Sequence, residues 1–122
     1  MTLRQAQSAF LLDACKLIQY ATESGFTVTG GELVRTVEQA ELYKKTGFSK
    51  AGAKSLHCQR LAIDLNFFLN GSYIEDKATL KPLGEYWESL SDMNSAGMFF
   101  KGFEDCPHFS RGYEKPERNR NV

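Results

Sequence analysis

In the run Ser55 to Phe67, SLHCQRLAIDLNF, the residues Leu61, Ile63, Leu65 and Phe67 alternate with Ala62, Asp64 and Asn66. A period of two over that length marks a β-strand with one buried face. The first set therefore faces a core, and Asp64 points away from it. Asn70 and Gly71 follow as a hairpin signal, which predicts that Gly71 to Ile74 returns beside the strand. A chain carrying this hairpin must pair its edges and cover its apolar face.

The cover comes from helical segments. From Leu3 to Ser24 the residues Phe10, Ala14, Leu17, Ile18 and Ala21 recur at three- and four-residue steps, one face of an amphipathic helix that Gly25 ends. Cys15, beside that stripe, reads as a small buried hydrophobe. Phe26 to Thr29 reads as a strand, with Gly30 and Gly31 as a turn. Thr36 with Gln39 has the form of a capping box for a helix from Val37 to about Thr46, and Phe48 to Lys54 reads as a loop. Pro82 to Leu90 reads as a short helix with Trp87 and Leu90 inward. Ser91 to Gly102 reads as a loop whose Met98, Phe99 and Phe100 fold over a pocket. The fold class expected is α+β, a single small domain with a central antiparallel sheet flanked by helices.

At 122 residues the chain is long enough to bury most of its unfolded surface in one core. Its 15 basic and 15 acidic residues cancel, which removes the electrostatic case for nucleic acid or an anionic membrane as partner. Three cysteines, Cys15, Cys58 and Cys106, without repeated spacing, argue against a disulfide framework and for folding in a reducing compartment. No stretch approaches the length of an apolar membrane span, and the N-terminus lacks the apolar run of a signal peptide. Synthesis in the cytoplasm is the expectation, and any work outside a membrane would require release.

The chain has two histidines. His57 precedes the strand that carries Asp64, and His108 lies in EDCPHF, three residues after Asp105. Two imidazoles and one carboxylate make a three-donor zinc site with a fourth position open to water. Asp105 then stands where a general base for that water could be, with Glu104 as competitor. Other readings stay open on spacing alone. The histidines could be structural and the carboxylates solvated. Cys58 and Cys106 flank the histidines and could complete a structural Cys and His site, and Cys106 with His108 could form a nucleophile pair.

The run Ser55, His57, Ala62, Asp64 resembles the SxHxxGxAxD motif of the M15 metallopeptidases, and Asp105 with His108 and Phe109 resembles their second motif, an acid, two spacers, then His and an aromatic. Arg35 with Thr36 is similar to the upstream arginine of that family. The resemblance runs from about Phe26 to Phe109. It implies a zinc peptidase acting on peptidoglycan stem peptides, either as an L-Ala-D-Glu endopeptidase or as a D-Ala-D-Ala carboxypeptidase. His57, Asp64 and His108 would bind Zn2+, Asp105 would activate the water, Arg35 would meet the negative carbonyl oxygen and Ser55 would orient substrate. Trp87, earlier in the chain, reads as core.

Arg60 stands where many members carry glycine, and the form SLHxxRLAxDLN resembles phage-type members. A WGG-like segment is poorly matched by Ser95 to Phe100. The resemblance implies a peptidase domain over 1–112 and a phage lysis enzyme that reaches the wall after release, while the tail over 113–122, charged and almost without aliphatic residues, is expected to be disordered. A non-catalytic wall-binding or virion structural protein with a structural metal is the alternative.

Overall fold

The computed structural model describes residues 1–47, 52 and 55–112. The tail 113–122 and, Gly52 apart, the loop over 48–54 lie outside these residues. The elements in order are α1 (Leu3–Glu23), β1 (Thr27–Gly30), α2 (Val37–Lys45), a 3-10 turn (Leu56–Gln59), β2 (Ala62–Leu69), β3 (Ser72–Ile74), α3 (Lys77–Ser89), β4 (Asn94–Ala96), a second 3-10 turn (Gly97–Phe99) and β5 (His108–Arg111). The strands form an antiparallel sheet of five in the order β1-β2-β5-β4, with β3 pairing β2 beyond the end of β5. This is the α+β domain expected from the sequence. No helix among the described residues is long and apolar enough to cross a membrane.

β2 is central because its alternation is complete. Leu65 and Phe67 are buried and Ile63 is partly so, and on one sheet face they meet Phe109, Val28 and Ile74 through cross-strand pairing. α1 and α3 close that face with Phe10, Leu17, Leu80, Leu83 and Trp87. The Trp87 ring stands edge-on to Phe10 and Phe109, and its indole N–H donates to the Ser95 and Ser110 carbonyls at 3.2 and 3.1 Å. A buried tryptophan is thus satisfied without water, and it locks α3 to both β4 and β5.

The elements differ from the sequence reading where long-range contacts decide. α3 starts at Lys77, five residues before the expected Pro82, because Asp76 caps it by accepting from the Thr79 N–H at 2.9 Å. Pro82 removes one helix hydrogen bond, and both Pro82 and the residue one turn back, Ala78, are exposed, so the freed carbonyl faces water. Cys15 is exposed and Ile18 sits at the surface, while Asp13 is buried, so the inward stripe of α1 is narrower than the apolar residues suggested. Thr2 with Gln5, not singled out in the sequence, forms the full reciprocal capping box, whereas Thr36 accepts from the Gln39 N–H. The segment after Ser91 is not wholly loop, since β4 pairs with β5.

Gly31 is no turn. Its N–H donates to the Asp64 carbonyl at 2.7 Å, the Asp64 N–H donates to the Glu32 carbonyl at 2.9 Å, and a Cβ on Gly31 would sit 2.9 Å from that same Asp64 oxygen. The chain after β1 therefore keeps extended pairing alongside Asp64.

Arg60 caps the first 3-10 turn with φ of 57° and ψ of 38°, a left-handed conformation that suits glycine. This gives a physical reason for glycine at that place in the resembling motif. Arg60→Gly is expected to stabilise the protein by about 0.5 to 1 kcal/mol, measured as a shift of the urea midpoint at constant slope.

Candidate metal centre

Three separate pieces of local structure deliver the donors. His57 sits in the 3-10 turn, where Ser55 Oγ accepts from the His57 N–H at 3.2 Å. Asp64 projects from β2 on the face opposite the core. His108 begins β5 directly opposite Asp64 in the antiparallel register. Cross-strand partners put their side chains on one face, so this pairing alone brings Asp64 and His108 together.

The spacing of Asp105 and His108 has its own cause. The His108 N–H donates to the Asp105 carbonyl at 3.1 Å, which closes a β-turn over Cys106 and Pro107. The Asp105 N–H donates to the Gly97 carbonyl at 2.9 Å, and the Leu65 N–H donates to the Pro107 carbonyl at 2.9 Å, so the turn is tied to both neighbours.

Asp64 Oδ1 lies 3.4 Å from His57 Nε2 and 3.8 Å from His108 Nδ1, and the three donor atoms fall within 4.8 Å of one another. Donors around a tetrahedral zinc stand about 3.3 Å apart, so the constellation needs only a small contraction. His57 Nδ1 faces the Leu33 carbonyl at 3.3 Å. The tautomer that donates there leaves a lone pair on Nε2, aimed at Asp64 Oδ1, which is buried without any hydrogen-bond partner. Two acceptors facing each other with no proton between them fit a cation. Among the described residues this is the group able to hold a metal.

Burial, reinforced by the His57 and Arg35 charges, pushes the His108 imidazole down to about 4, so it is a neutral donor at physiological pH. The sign for metal-free protein follows. The unfolded imidazole titrates near 6.5 and takes its proton first as pH falls. Stability from neutral His108 is complete above that value and is lost as the pH drops through about 4, a change on the order of 3 kcal/mol. Asp105 acts oppositely: desolvation, then the Asp64 charge, raise its carboxyl, so the folded state recovers part of that loss on acidification. Urea denaturation of chelated protein should therefore lose stability more steeply on acidification in the parent than in His108→Gln.

The Arg35 guanidinium is buried rather than at the surface. It is ion-paired with Glu32, its Nε donating to Glu32 Oε1 at 2.6 Å, its Nη1 lies 3.4 Å from Ser55 Oγ, and it stacks 4.9 Å from the Tyr43 ring centroid. The Arg35 N–H donates to the His57 carbonyl at 3.3 Å. Ser55 is buried too, and its oxygen accepts from His57 while lying beside Arg35. The structure thus gathers Arg35 and Ser55 directly behind His57. Glu32, which sequence reasoning missed, holds Arg35 in place; its only signal was an acid three residues before the arginine.

The competing residues separate from the site. Glu104 is exposed and paired with Lys77 at 2.6 Å. Cys58 Sγ is directed at the Thr36 carbonyl, and neither flanking thiol joins the donor group. Burial, with the Glu104 and Asp105 charges, pushes the Cys106 thiol up, the reverse of what a nucleophile needs. Of residues 98–100, Met98 is buried in the core, and Phe100 stands 5.4 Å from the His108 ring as a wall of the site.

No protein-family model matches the chain, and no curated protein does. Among solved structures the fold is similar to that of the Serratia marcescens L-Ala D-Glu endopeptidase ChiX, with a TM-score of 0.66 and 17% sequence identity over 83% of this chain and 79% of that one.

Proposed function

We propose that this chain is a zinc-dependent peptidase of the M15 kind that hydrolyses a peptide bond in peptidoglycan stem peptides, with the L-Ala-D-Glu bond favoured over D-Ala-D-Ala. The observation that carries the reading is the convergence of His57, His108 and an unpartnered Asp64 oxygen next to the turn bearing Asp105. The likeness of fold to ChiX supports it and favours the L-Ala-D-Glu bond.

A divalent metal on these three donors supplies a Lewis acid that polarises a carbonyl and acidifies a water. Asp105 supplies the base: its raised carboxyl, in the field of Asp64, His57 and Arg35, suits it to take a proton from the attacking water and pass it to the leaving amine. Arg35, fixed by Glu32, would bring its guanidinium charge to the oxygen that becomes negative in the tetrahedral intermediate. Ser55 acts behind them, holding His57 and Arg35 in register. The SLHxxRLAxDLN form supports a phage lysis enzyme, made in the cytoplasm and reaching the wall after release.

The test is mass spectrometry of peptidoglycan fragments after incubation with the zinc-loaded protein, with His108→Ala and chelated controls. Stem peptides cut after L-alanine are expected, only with the intact site. Loss of terminal D-alanine would make the enzyme a carboxypeptidase, and an unchanged fragment profile with the intact protein would refute the peptidase.

A further inference from the structure

The sheet face that carries Asp64 and His108 does not end at the metal centre. In the antiparallel register Asn66 pairs with Thr29, and Phe68 pairs with both Thr27 and Tyr73, so these five side chains continue the Asp64 face away from the core. Thr27, Thr29 and Tyr73 are exposed, Tyr73 to 46%. The Phe68 and Tyr73 rings lie 5.5 Å apart at a tilt, a cross-strand aromatic pair with an open side. The strip holds hydroxyls, an amide and aromatic faces, and no charged group. The site itself is built of charges. That contrast selects a neutral ligand with many hydroxyls and an apolar ring face.

We propose that Asn66, Thr29, Phe68 and Tyr73 form a subsite for a neutral amino-sugar ring of the glycan strand to which the stem peptide is attached. The inference rests on the function proposed above and adds the direction in which the substrate lies. From Asp64 to Phe68 the strand advances roughly 13 Å, with Asn66 half-way. A sugar joined to L-alanine through a lactyl ether begins roughly 7 to 8 Å from the L-alanyl carbonyl, so its ring falls over Asn66 to Phe68. From a D-Ala-D-Ala bond the sugar would lie several residues further and overshoot the strip. The phenol of Tyr73 feels Glu75, Cys106, Asp105 and Asp64, which raise it after desolvation, so its hydroxyl stays protonated and able to donate to a sugar oxygen.

Two measurements separate this subsite from the reaction. In an amide NMR titration with the peptide-free disaccharide of N-acetylglucosamine and N-acetylmuramic acid, its lactyl carboxyl capped as the amide so that the probe is neutral, shifts are expected at Thr27, Thr29, Asn66, Phe68 and Tyr73, and Tyr73→Ala should abolish them. Shifts elsewhere, or none, would overturn the subsite, as would shifts produced there by free lysine and not by the sugar. In kinetics, kcat/KM for a disaccharide-linked stem peptide should exceed that for the free peptide by about five- to tenfold, and Tyr73→Ala should bring the ratio toward one through KM. Equal rates in the parent, or an unchanged ratio in the variant, would refute the subsite. If the parent cuts neither peptide, the proposed reaction fails, while the titration still decides the sugar.

Discussion

Asp105→Asn is expected to bind metal as tightly as the parent and to cleave stem peptide about a hundred- to ten-thousand-fold more slowly, the range a positioned base contributes. Asp105 is not one of the three donors, so metal affinity, read by competition with a chromogenic chelator, should not move. Stability should move the other way from activity. Burial and the neighbouring Asp64 charge make ionised Asp105 unfavourable in the folded state at neutral pH, and a neutral amide removes that conflict. A variant at least as resistant to urea as the parent, and inactive, is the expected signature of a group held against its preference for chemistry. Near-parental turnover would remove Asp105 from the reaction.

Gly97→Ala is expected to damage the centre from outside it. A Cβ on Gly97 would stand 2.8 Å from His108 Cβ and far closer than contact distance to the Asp105 carbonyl oxygen. Neither neighbour can yield cheaply: one is backbone, and its residue is tied to the Gly97 carbonyl by the Asp105 N–H. The turn must shift, carrying His108 with it. Overpacking of this kind costs about 1 to 3 kcal/mol, and metal affinity should fall alongside, because one donor leaves its place. Differential scanning calorimetry of the chelated protein and a zinc titration read the two effects. An alanine variant with parental melting and parental affinity would show that the segment adjusts freely.

The residues that could be read in advance are those whose signals are local. β2 announces itself by alternation, the hairpin by Asn70 and Gly71, and the pair Asp105 and His108 by a spacing that one β-turn explains. The outward direction of Asp64 followed from counting positions along one strand. What escaped was set by distant parts of the chain. The β4 strand has three residues of no particular propensity and exists because β5 offers it an edge. Gly31 read as part of a turn and Gly97 as part of a loop, yet each is required by a backbone that approaches from elsewhere. Cys15 looked apolar enough to bury, but the helix had already filled its inward face with Ala14 and Leu17, and with Asp13, which accepts from the Asn94 amide at 3.1 Å. Glu32 could not be ranked above other acids until its carboxylate was seen against Arg35.

The four residues Glu32 to Arg35 contact the donor group through the Leu33 carbonyl on His57 and the Glu32 carbonyl on Asp64, and in the proposed reaction the Arg35 side chain of the same segment would meet the substrate. Free energy stored in ordering that segment is shared, so the two binding equilibria are thermodynamically linked. Whatever factor the metal adds to the affinity for peptide, the peptide must return to the affinity for metal. If the proposed reaction holds, the chain would keep its ion most firmly when it meets its polymer and give it up most readily when idle.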